Sequence, residues 1–207
     1  MISLQTALTF FVIAAGLAVT PGPDILFVLT QSALYGARAG LATTLGLMSG
    51  LFVHTSLVAL GVAAFFQHSP TAFLLLKIAG AVYLLYLAWL SFRAGAMLAL
   101  GEQGNFIGYA ALYRRGLFMN VTNPKVSLFF LAFLPQFCSP ERGSMAAQVI
   151  QLGLLFLLAT CLVFGLTALL SGRLARRFND SPKAQMIMHR LAGLVFVGLA
   201  ACLAFTA

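Results

Sequence analysis

Long apolar stretches alternate with short polar segments along this chain, and six of them approach or exceed the roughly 20 residues that cross a bilayer core as a helix. They cover 4–34, 40–66, 71–92, 117–138, 146–170 and 188–206. Segments rich in Gly, Pro and polar residues separate them, as at 35–38, 67–70 and 139–143. The pattern predicts an all-α membrane protein with six transmembrane helices.

Two of these apolar segments contain a break well inside the run. The first segment would form a helix of about 46 Å, longer than the hydrocarbon core of about 30 Å. Near its middle lies Thr20-Pro21-Gly22-Pro23-Asp24, and the fourth segment contains Asn123-Pro124-Lys125. Proline lacks a backbone donor and interrupts a helix. Helices 1 and 4 are therefore predicted to be broken inside the membrane.

The breaks belong to an internal repeat that runs through the chain. Residues 19–25 align with 121–126, 45–47 with 152–154, and 77–83 with 190–196, in the same order. Three helices per copy is an odd number, so the second copy enters the membrane from the opposite side, as in secondary transporters. We predict one domain over 1–207, with inverted repeats at about 1–92 and 105–207 joined by a polar loop at about 93–116.

Composition supports a membrane protein and excludes a soluble globule. Hydrophobic residues make up 61% of the chain and charged residues only 8%, against about a quarter in soluble domains. The net charge of +8 is read as a topology signal and not as a nucleic-acid site, because the dense basic cluster at 173–177 lacks interleaved aromatic residues. That cluster is predicted to lie in a solvated loop at 171–187.

Lys and Arg are concentrated on one side of the predicted bundle. The loops after helices 1, 3 and 5 hold Arg38, Arg93, Arg114, Arg115, Arg173, Arg176, Arg177, Lys183 and Arg190. The other side holds Arg142 and Lys77. The positive-inside rule then places those three loops in the cytoplasm and both termini on the periplasmic side of a bacterial inner membrane.

Asp24 and Lys125 are the charged residues placed deepest in the apolar segments, and the repeat puts them at equivalent positions. Charges at that depth are costly and usually face the bundle interior. One interpretation is a site for a zwitterion, in which Asp24 holds an ammonium group while Lys125 and the N–H groups after Pro124 hold a carboxylate. The other is structural, with Asp24 capping a restarted helix and Lys125 as its buried counter-ion.

Asp24 is also the candidate to carry a proton in exchange for substrate, which requires it to separate from Lys125 during the cycle. His54 is a second candidate, for relaying that proton, although a neutral histidine packed between helices is the simpler interpretation. Ala42, Gly46, Gly50 and His54 recur every four residues. This small-residue stripe favours close helix packing or a homodimer.

Enzyme chemistry and bound cofactors are not indicated. The sequence has no His-Glu-x-x-His run, no glycine-rich phosphate loop and no Cys-x-x-Cys pair, so neither a metal site nor a cofactor is expected. The three cysteines, Cys138, Cys161 and Cys202, lie on different helices and are read as packing residues.

The segments 20–24, 120–125 and Phe133-Leu134-Pro135-Gln136-Phe137 resemble the LysE/RhtB family of bacterial amino-acid exporters, and the resemblance covers nearly the whole chain. Around 50–54 and 77–84 it looks most similar to the homoserine/threonine branch. The resemblance implies proton-driven efflux of small, mostly neutral amino acids or their derivatives, such as threonine, homoserine, homoserine lactone, leucine or cysteine. It implies a site built from Thr20, Pro21, Gly22, Pro23, Asp24, Asn120, Asn123, Pro124 and Lys125.

Two alternatives to a transporter stay open at this stage. One is a thiol-redox membrane protein of the DsbD/CcdA type, whose cysteines lie in the first and fourth helices; here those helices carry Asp24 and Lys125 at their breaks. The other is a scaffold or receptor in which the broken helices are only structural. For the exporter, the expected partners are an amino-acid substrate, protons and the lipid bilayer, with no nucleic acid.

Overall fold

The computed structural model describes residues 1–68, 70–94, 105–179 and 181–205. Helices account for nearly all of this part of the chain. The α-helices are α1 (Leu4–Val19), α2 (Pro23–Tyr35), α3 (Ala37–His68), α4 (Pro70–Arg93), α5 (Tyr109–Val121), α6 (Pro124–Leu128), α7 (Met145–Asn179) and α8 (Pro182–Phe205). Between α6 and α7 lie a π-helical turn at Phe129–Phe133 and 3-10 turns at Leu134–Phe137 and Pro140–Arg142.

The predicted all-α membrane architecture is confirmed. Four helices are long and apolar enough to span a bilayer, within α3, α4, α7 and α8. Two further spans arise if each bent pair counts as one: α1 with α2, bent by 59°, and α5 with 124–137, bent by 48°. Both bends fall at the predicted breaks, so helices 1 and 4 are broken as expected.

Two helix boundaries differ from the sequence prediction. α5 begins at Tyr109 and not at 117. The prediction missed these first residues because the buried face of α5 is only Leu112, Gly116 and Asn120, a stripe too narrow to raise the mean hydropathy. The predicted basic loop at 171–187 is wrong over most of its length, since α7 continues to Asn179 and α8 begins at Pro182. The rest of the predicted 93–116 loop falls largely outside the described residues.

α3 lies at the centre of the bundle and packs against α2, α5 and α7. Its contact with α5 is close enough to require glycine: a Cβ on Gly46 would overlap the Tyr113 carbonyl, and one on Gly116 would lie 2.5 Å from the Thr43 carbonyl oxygen. The small-residue stripe of α3 thus faces α5, in agreement with its interpretation as a packing surface.

α4 and α8 form a second unit that packs mainly on itself. Gly193 of α8 gives the ring of Phe92 room to approach, because a Cβ there would lie 2.5 Å from that ring. Gly80 of α4 similarly faces Ala132 and Leu203. The two helices therefore meet closely along their length while making fewer contacts with α1 and α7.

Hydrogen bonds and a group of aromatic rings hold together the end of the bundle that carries the N-terminus. At the end that carries the N-terminus, the Met1 amino group donates to the Arg142 carbonyl (2.9 Å) and the Ile2 N–H to the Gln151 side chain (3.1 Å). Below these contacts lies a group of buried or half-buried rings in mutual contact, which we call the aromatic cluster: Phe10, Phe129, Phe130, Phe133, Phe137 and Phe156. These rings belong to the hydrophobic core of this half of the molecule.

Candidate functional site

The break in the first span frees carbonyl groups that an intact helix would use. α1 ends at Val19, and Thr20 caps it with its hydroxyl bonded to the Gly16 carbonyl (2.7 Å). In a continuous helix the N–H of residue 21 would bond the Leu17 carbonyl, but Pro21 has no N–H. α2 restarts at Pro23 with Asp24 in its first turn. The carbonyls of Leu17 and Thr20 are thereby left for another donor.

The break in the fourth span is organised by Asn123. α5 ends at Val121, and Asn123 caps α6 by accepting a hydrogen bond from the Lys125 N–H on its Oδ1 (3.0 Å). The N–H groups of Val126 and Ser127 donate to the Asn123 carbonyl. The N–H groups expected to be exposed after Pro124 are therefore already bonded within the break.

The two breaks meet through four hydrogen bonds, and all the donors belong to the second break. Asn120 and Asn123 donate through Nδ2 to the two carboxylate oxygens of Asp24, at 3.0 and 2.8 Å. The Lys125 ammonium donates to the carbonyls of Leu17 (3.1 Å) and Thr20 (3.2 Å). Asp24 is 5% exposed and Lys125 8%. The predicted juxtaposition of the breaks is present, at mid-span.

Asp24 and Lys125 are neighbours but not a contact ion pair. Asp24 accepts hydrogen bonds from two side-chain amides, and Lys125 donates to two backbone carbonyls. Within the described part of the chain, no N···O contact under 4.0 Å joins the two residues. The predicted pairing of the two charges is therefore not a direct ion pair, and Asn123 bonds Asp24 through its Nδ2 and Lys125 only at the Lys125 backbone N–H. Amide N–H groups stabilise the carboxylate and carbonyl oxygens stabilise the ammonium, because each supplies a partial charge of the right sign.

α3 holds Asn120 in place. A Cβ on Gly50 would lie 2.5 Å from the Asn120 Oδ1, so only glycine leaves room for this amide. His54 places its Nε2 3.2 Å from the Asn120 carbonyl oxygen, and its ring lies against Phe130 at 5.6 Å between centroids. His54 therefore contacts the backbone of the second break, and its described hydrogen bond does not reach Asp24.

A small cavity of about 20 Å³ adjoins these groups. Asp24, Asn120, Lys125 and Thr160 contribute its polar lining. Two buried atoms here, the Asn120 Oδ1 and the Thr160 Oγ1, have no protein partner among the described residues. Such a volume holds about one water molecule. The sequence analysis did not single out Thr160, which is one of two threonines within the apolar run of α7.

A wider cavity lies on the other side of the breaks. It has a volume of about 360 Å³, and we call it the α4–α8 cavity after two of the helices that line it. Its lining includes Pro21, Gly22, Pro23, Leu26, Tyr83, Leu87, Leu90, Ser91, Asn123, Pro124, Lys125, His189 and Phe196. Both charged residues thus line the small cavity, and of the two only Lys125 also lines the larger one.

The chemistry of Cys138 does not favour thiol exchange. This residue follows the 3-10 turn at Leu134–Phe137, away from both breaks, and burial raises the pKa of its thiol to about 11. A thiolate is the reactive species in disulfide exchange, and at neutral pH Cys138 is almost entirely a thiol.

Comparison with known proteins agrees with this architecture. The sequence matches the LysE type translocator family over residues 15–206. It is 32% identical over 188 residues to the homoserine/homoserine lactone efflux protein of Salmonella typhimurium, covering 91% of this chain and 90% of that protein. It is 32% identical over 205 residues to the leucine efflux protein of Klebsiella pneumoniae subsp. pneumoniae, covering 95% and 93%.

An uncharacterized membrane protein of Vibrio cholerae is 34% identical over 198 residues, covering 95% of each chain. No solved structure matches this chain. The family model and the relatives extend over the breaks and nearly all of the helices, so the resemblance noted from the motifs is confirmed. The chain belongs to the LysE type translocator family.

Proposed function

We propose that this protein exports small neutral amino acids across the bacterial inner membrane in exchange for protons. The observation that carries the proposal is the reciprocal contact of the two breaks, which holds a buried carboxylate and a buried ammonium group at mid-span. Ionisable groups at that depth mark transport pathways. Relatives named as homoserine/homoserine lactone and leucine efflux proteins support the substrate class.

The distribution of charge supports a cytoplasmic location for the open end of the molecule. Arg38, Arg93, Arg114, Arg115 and Lys183 belong to the end opposite the N-terminus, whereas Arg142 lies beside Met1. The α4–α8 cavity extends from the breaks toward Leu90 and Ser91, near the basic end of α4, whereas the aromatic cluster lies on the other side of the breaks. By the positive-inside rule, this distribution of charge supports an orientation with the basic end in the cytoplasm and the N-terminus on the periplasmic side.

Helix contacts support the inverted repeat. Under the proposed symmetry α1 corresponds to α5, α3 to α7, and α4 to α8. The contact of α3 with α5 then corresponds to that of α7 with α1, and both pairs occur. The pairs α3 with α7 and α4 with α8 would each lie across the symmetry axis, and both are in contact. Rocking of one repeat against the other would alternate access to the breaks.

Lys125 and Asp24 take separate roles in the proposed cycle. A substrate carboxylate reaches the Lys125 ammonium from the α4–α8 cavity and weakens its bonds to the first break. Asp24, enclosed with the water-sized cavity, takes up the returning proton. The Asn120 amide suits either state of Asp24: its Nδ2 now donates to the carboxylate, and after rotation its Oδ1 would accept from the protonated acid. The substrate ammonium engages Asp24 only after the breaks separate.

The deciding experiment measures efflux from cells preloaded with labelled threonine, homoserine, leucine, cysteine or lysine. The wild type is expected to release one or more neutral amino acids faster than empty-vector cells, and a protonophore should abolish the difference. Asp24→Asn should reach the membrane but lose this coupled efflux, because an amide cannot carry the proton.

Glu141→Gln makes the same chemical change in an exposed 3-10 turn and should leave efflux at the wild-type rate. Undiminished protonophore-sensitive efflux by Asp24→Asn would overturn the role of this carboxylate. A correctly inserted wild type that releases none of the panel would favour the scaffold alternative.

A further inference from the structure

The α4–α8 cavity has the dimensions of a small-molecule site. Its volume of about 360 Å³ falls at the lower end of the range for ligand pockets, roughly 300–1,000 Å³. It is lined by two broken segments and by side chains from α2, α4 and α8. A single amino acid fits this space, whereas the cavity of about 20 Å³ next to Asp24 admits none.

Charge in this cavity is confined to one wall. Of the described residues that line it, Lys125 alone carries a formal charge at neutral pH, and none is a carboxylate. The ammonium lies 5.8 Å from the centre of the Phe196 ring, which also lines the cavity. Its described bonds to Leu17 and Thr20 use two of three N–H donors. The third can serve a carboxylate.

The remaining wall is largely apolar. Leu26, Leu87, Leu90 and Phe196 surround the space beyond Lys125. Tyr83, Ser91 and His189 add hydroxyl and imidazole groups, which can accept hydrogen bonds from an α-ammonium group without adding charge. A ligand that matches this wall has a carboxylate at one end and an aliphatic side chain at the other.

We propose that the α4–α8 cavity selects amino acids with a free carboxylate and an aliphatic side chain of about leucine size, and that Leu87 and Phe196 set this preference. The inference rests on the proposed export function and narrows it. Homoserine lactone and leucinamide lack the carboxylate that Lys125 would bind. Homoserine would leave its hydroxyl against leucine side chains, and lysine would bring a second cation into a cavity without an acid.

The test uses the purified full-length chain in liposomes loaded with labelled leucine or labelled homoserine. External unlabelled leucine, homoserine, homoserine lactone, leucinamide or lysine is then added, and exchange is followed. Leucine should exchange with a kcat/KM at least about 10-fold above that of homoserine, since an apolar pocket discriminates by about 10–200-fold per missing methylene. Lactone, amide and lysine should exchange least.

Leu87→Ser should shift the ratio of leucine to homoserine toward homoserine by several-fold. Leu85→Ser is the matched control, because Leu85 lies on the same helix with 51% of its surface exposed and does not line the cavity. Both variants are checked for monodispersity before reconstitution, so that a folding defect is separated from a change in preference.

The possible results separate the two proposals. Equal exchange of leucine and homoserine, preference for the lactone, or equal shifts in Leu87→Ser and Leu85→Ser would overturn the selectivity inference while leaving amino-acid export standing. Exchange of neither labelled amino acid by a monodisperse, reconstituted protein would overturn both.

Discussion

The two breaks occupy equivalent positions in the chain but have opposite hydrogen-bonding character. The first presents the Asp24 carboxylate and the carbonyls of Thr20 and of Leu17 in the last turn of α1, all acceptors. The second presents the amides of Asn120 and Asn123 and the ammonium of Lys125, all donors in this contact. The two breaks therefore bind each other because the donors of one face the acceptors of the other, and not only because two opposite charges lie close together.

Replacing Lys125 should have the largest effect on the contact between the two breaks. Lys125→Met leaves the carbonyls of Leu17 and Thr20 without a donor and removes the positive charge near Asp24. Breaking a buried charge arrangement from one side costs about 3–5 kcal/mol, so we expect a large fall in thermal stability in detergent and no efflux. The measurement is the temperature at which half the protein remains monodisperse.

Adding Asp24→Asn to Lys125→Met should recover part of this stability, because the lone buried charge is removed as well. The double variant should still fail to transport. Identical melting temperatures for the single and double variants would show that the two breaks are not coupled through these charges.

Replacing Asn123 by alanine should destabilise the protein more than replacing Asn120. Asn123→Ala loses both the cap on α6 and the bond to Asp24, whereas Asn120→Ala loses only a bond to Asp24. A helix cap contributes about 1 kcal/mol, so Asn123→Ala should be destabilised by about that much more in chemical or thermal unfolding.

Thr122→Ala is the control at the same break, because its exposed hydroxyl bonds only carbonyls of α5, those of Phe118 and Met119. It should behave like the wild type. If Asn120→Ala lowered the stability more than Asn123→Ala, the capping role assigned to Asn123 would be wrong.

The smallest effects are expected from added methyl groups. In Gly50→Ala the Cβ would lie 2.5 Å from the Asn120 Oδ1, and in Gly22→Ala it would lie 3.3 Å from the Lys125 Nζ. The first also brings the new methyl group to 2.7 Å from the Asn120 Cβ, so α3 and α5 must move apart, while the end of a lysine side chain can shift by a few tenths of an ångström. Efflux should therefore fall by about 10-fold in Gly50→Ala, equivalent to about 1.4 kcal/mol, and only a few-fold in Gly22→Ala.

Each glycine has a control on its own helix or beside it. Gly61 of α3 and Gly16 of α1 have no heavy atom within 4 Å of an added Cβ, so Gly61→Ala and Gly16→Ala should retain wild-type efflux rates. A larger loss in Gly22→Ala than in Gly50→Ala would reverse the ranking and assign the tighter constraint to the first break.

The sequence contained enough information to locate the breaks but not to describe how they meet. Pro21, Pro23 and Pro124 mark where backbone donors are missing, and the predicted repeat led us to expect Asp24 and Lys125 close together. The bonding of Asp24 to two amides and of Lys125 to two backbone carbonyls was not predictable, because it depends on side-chain rotation at the breaks. The early start of α5 was missed for a related reason: a helix packed through only Leu112, Gly116 and Asn120 has low mean hydropathy.

The polarity of the two breaks also bears on how such a gene arises. If two identical three-helix units faced each other, either two copies of the acceptor break would meet, with carboxylate beside carboxylate, or two copies of the donor break, with ammonium beside ammonium. Neither symmetric dimer could form the contact made by Asp24, Asn123 and Lys125. If the two halves descend from one duplicated unit, this contact therefore requires that the copies first acquired different residues at their breaks.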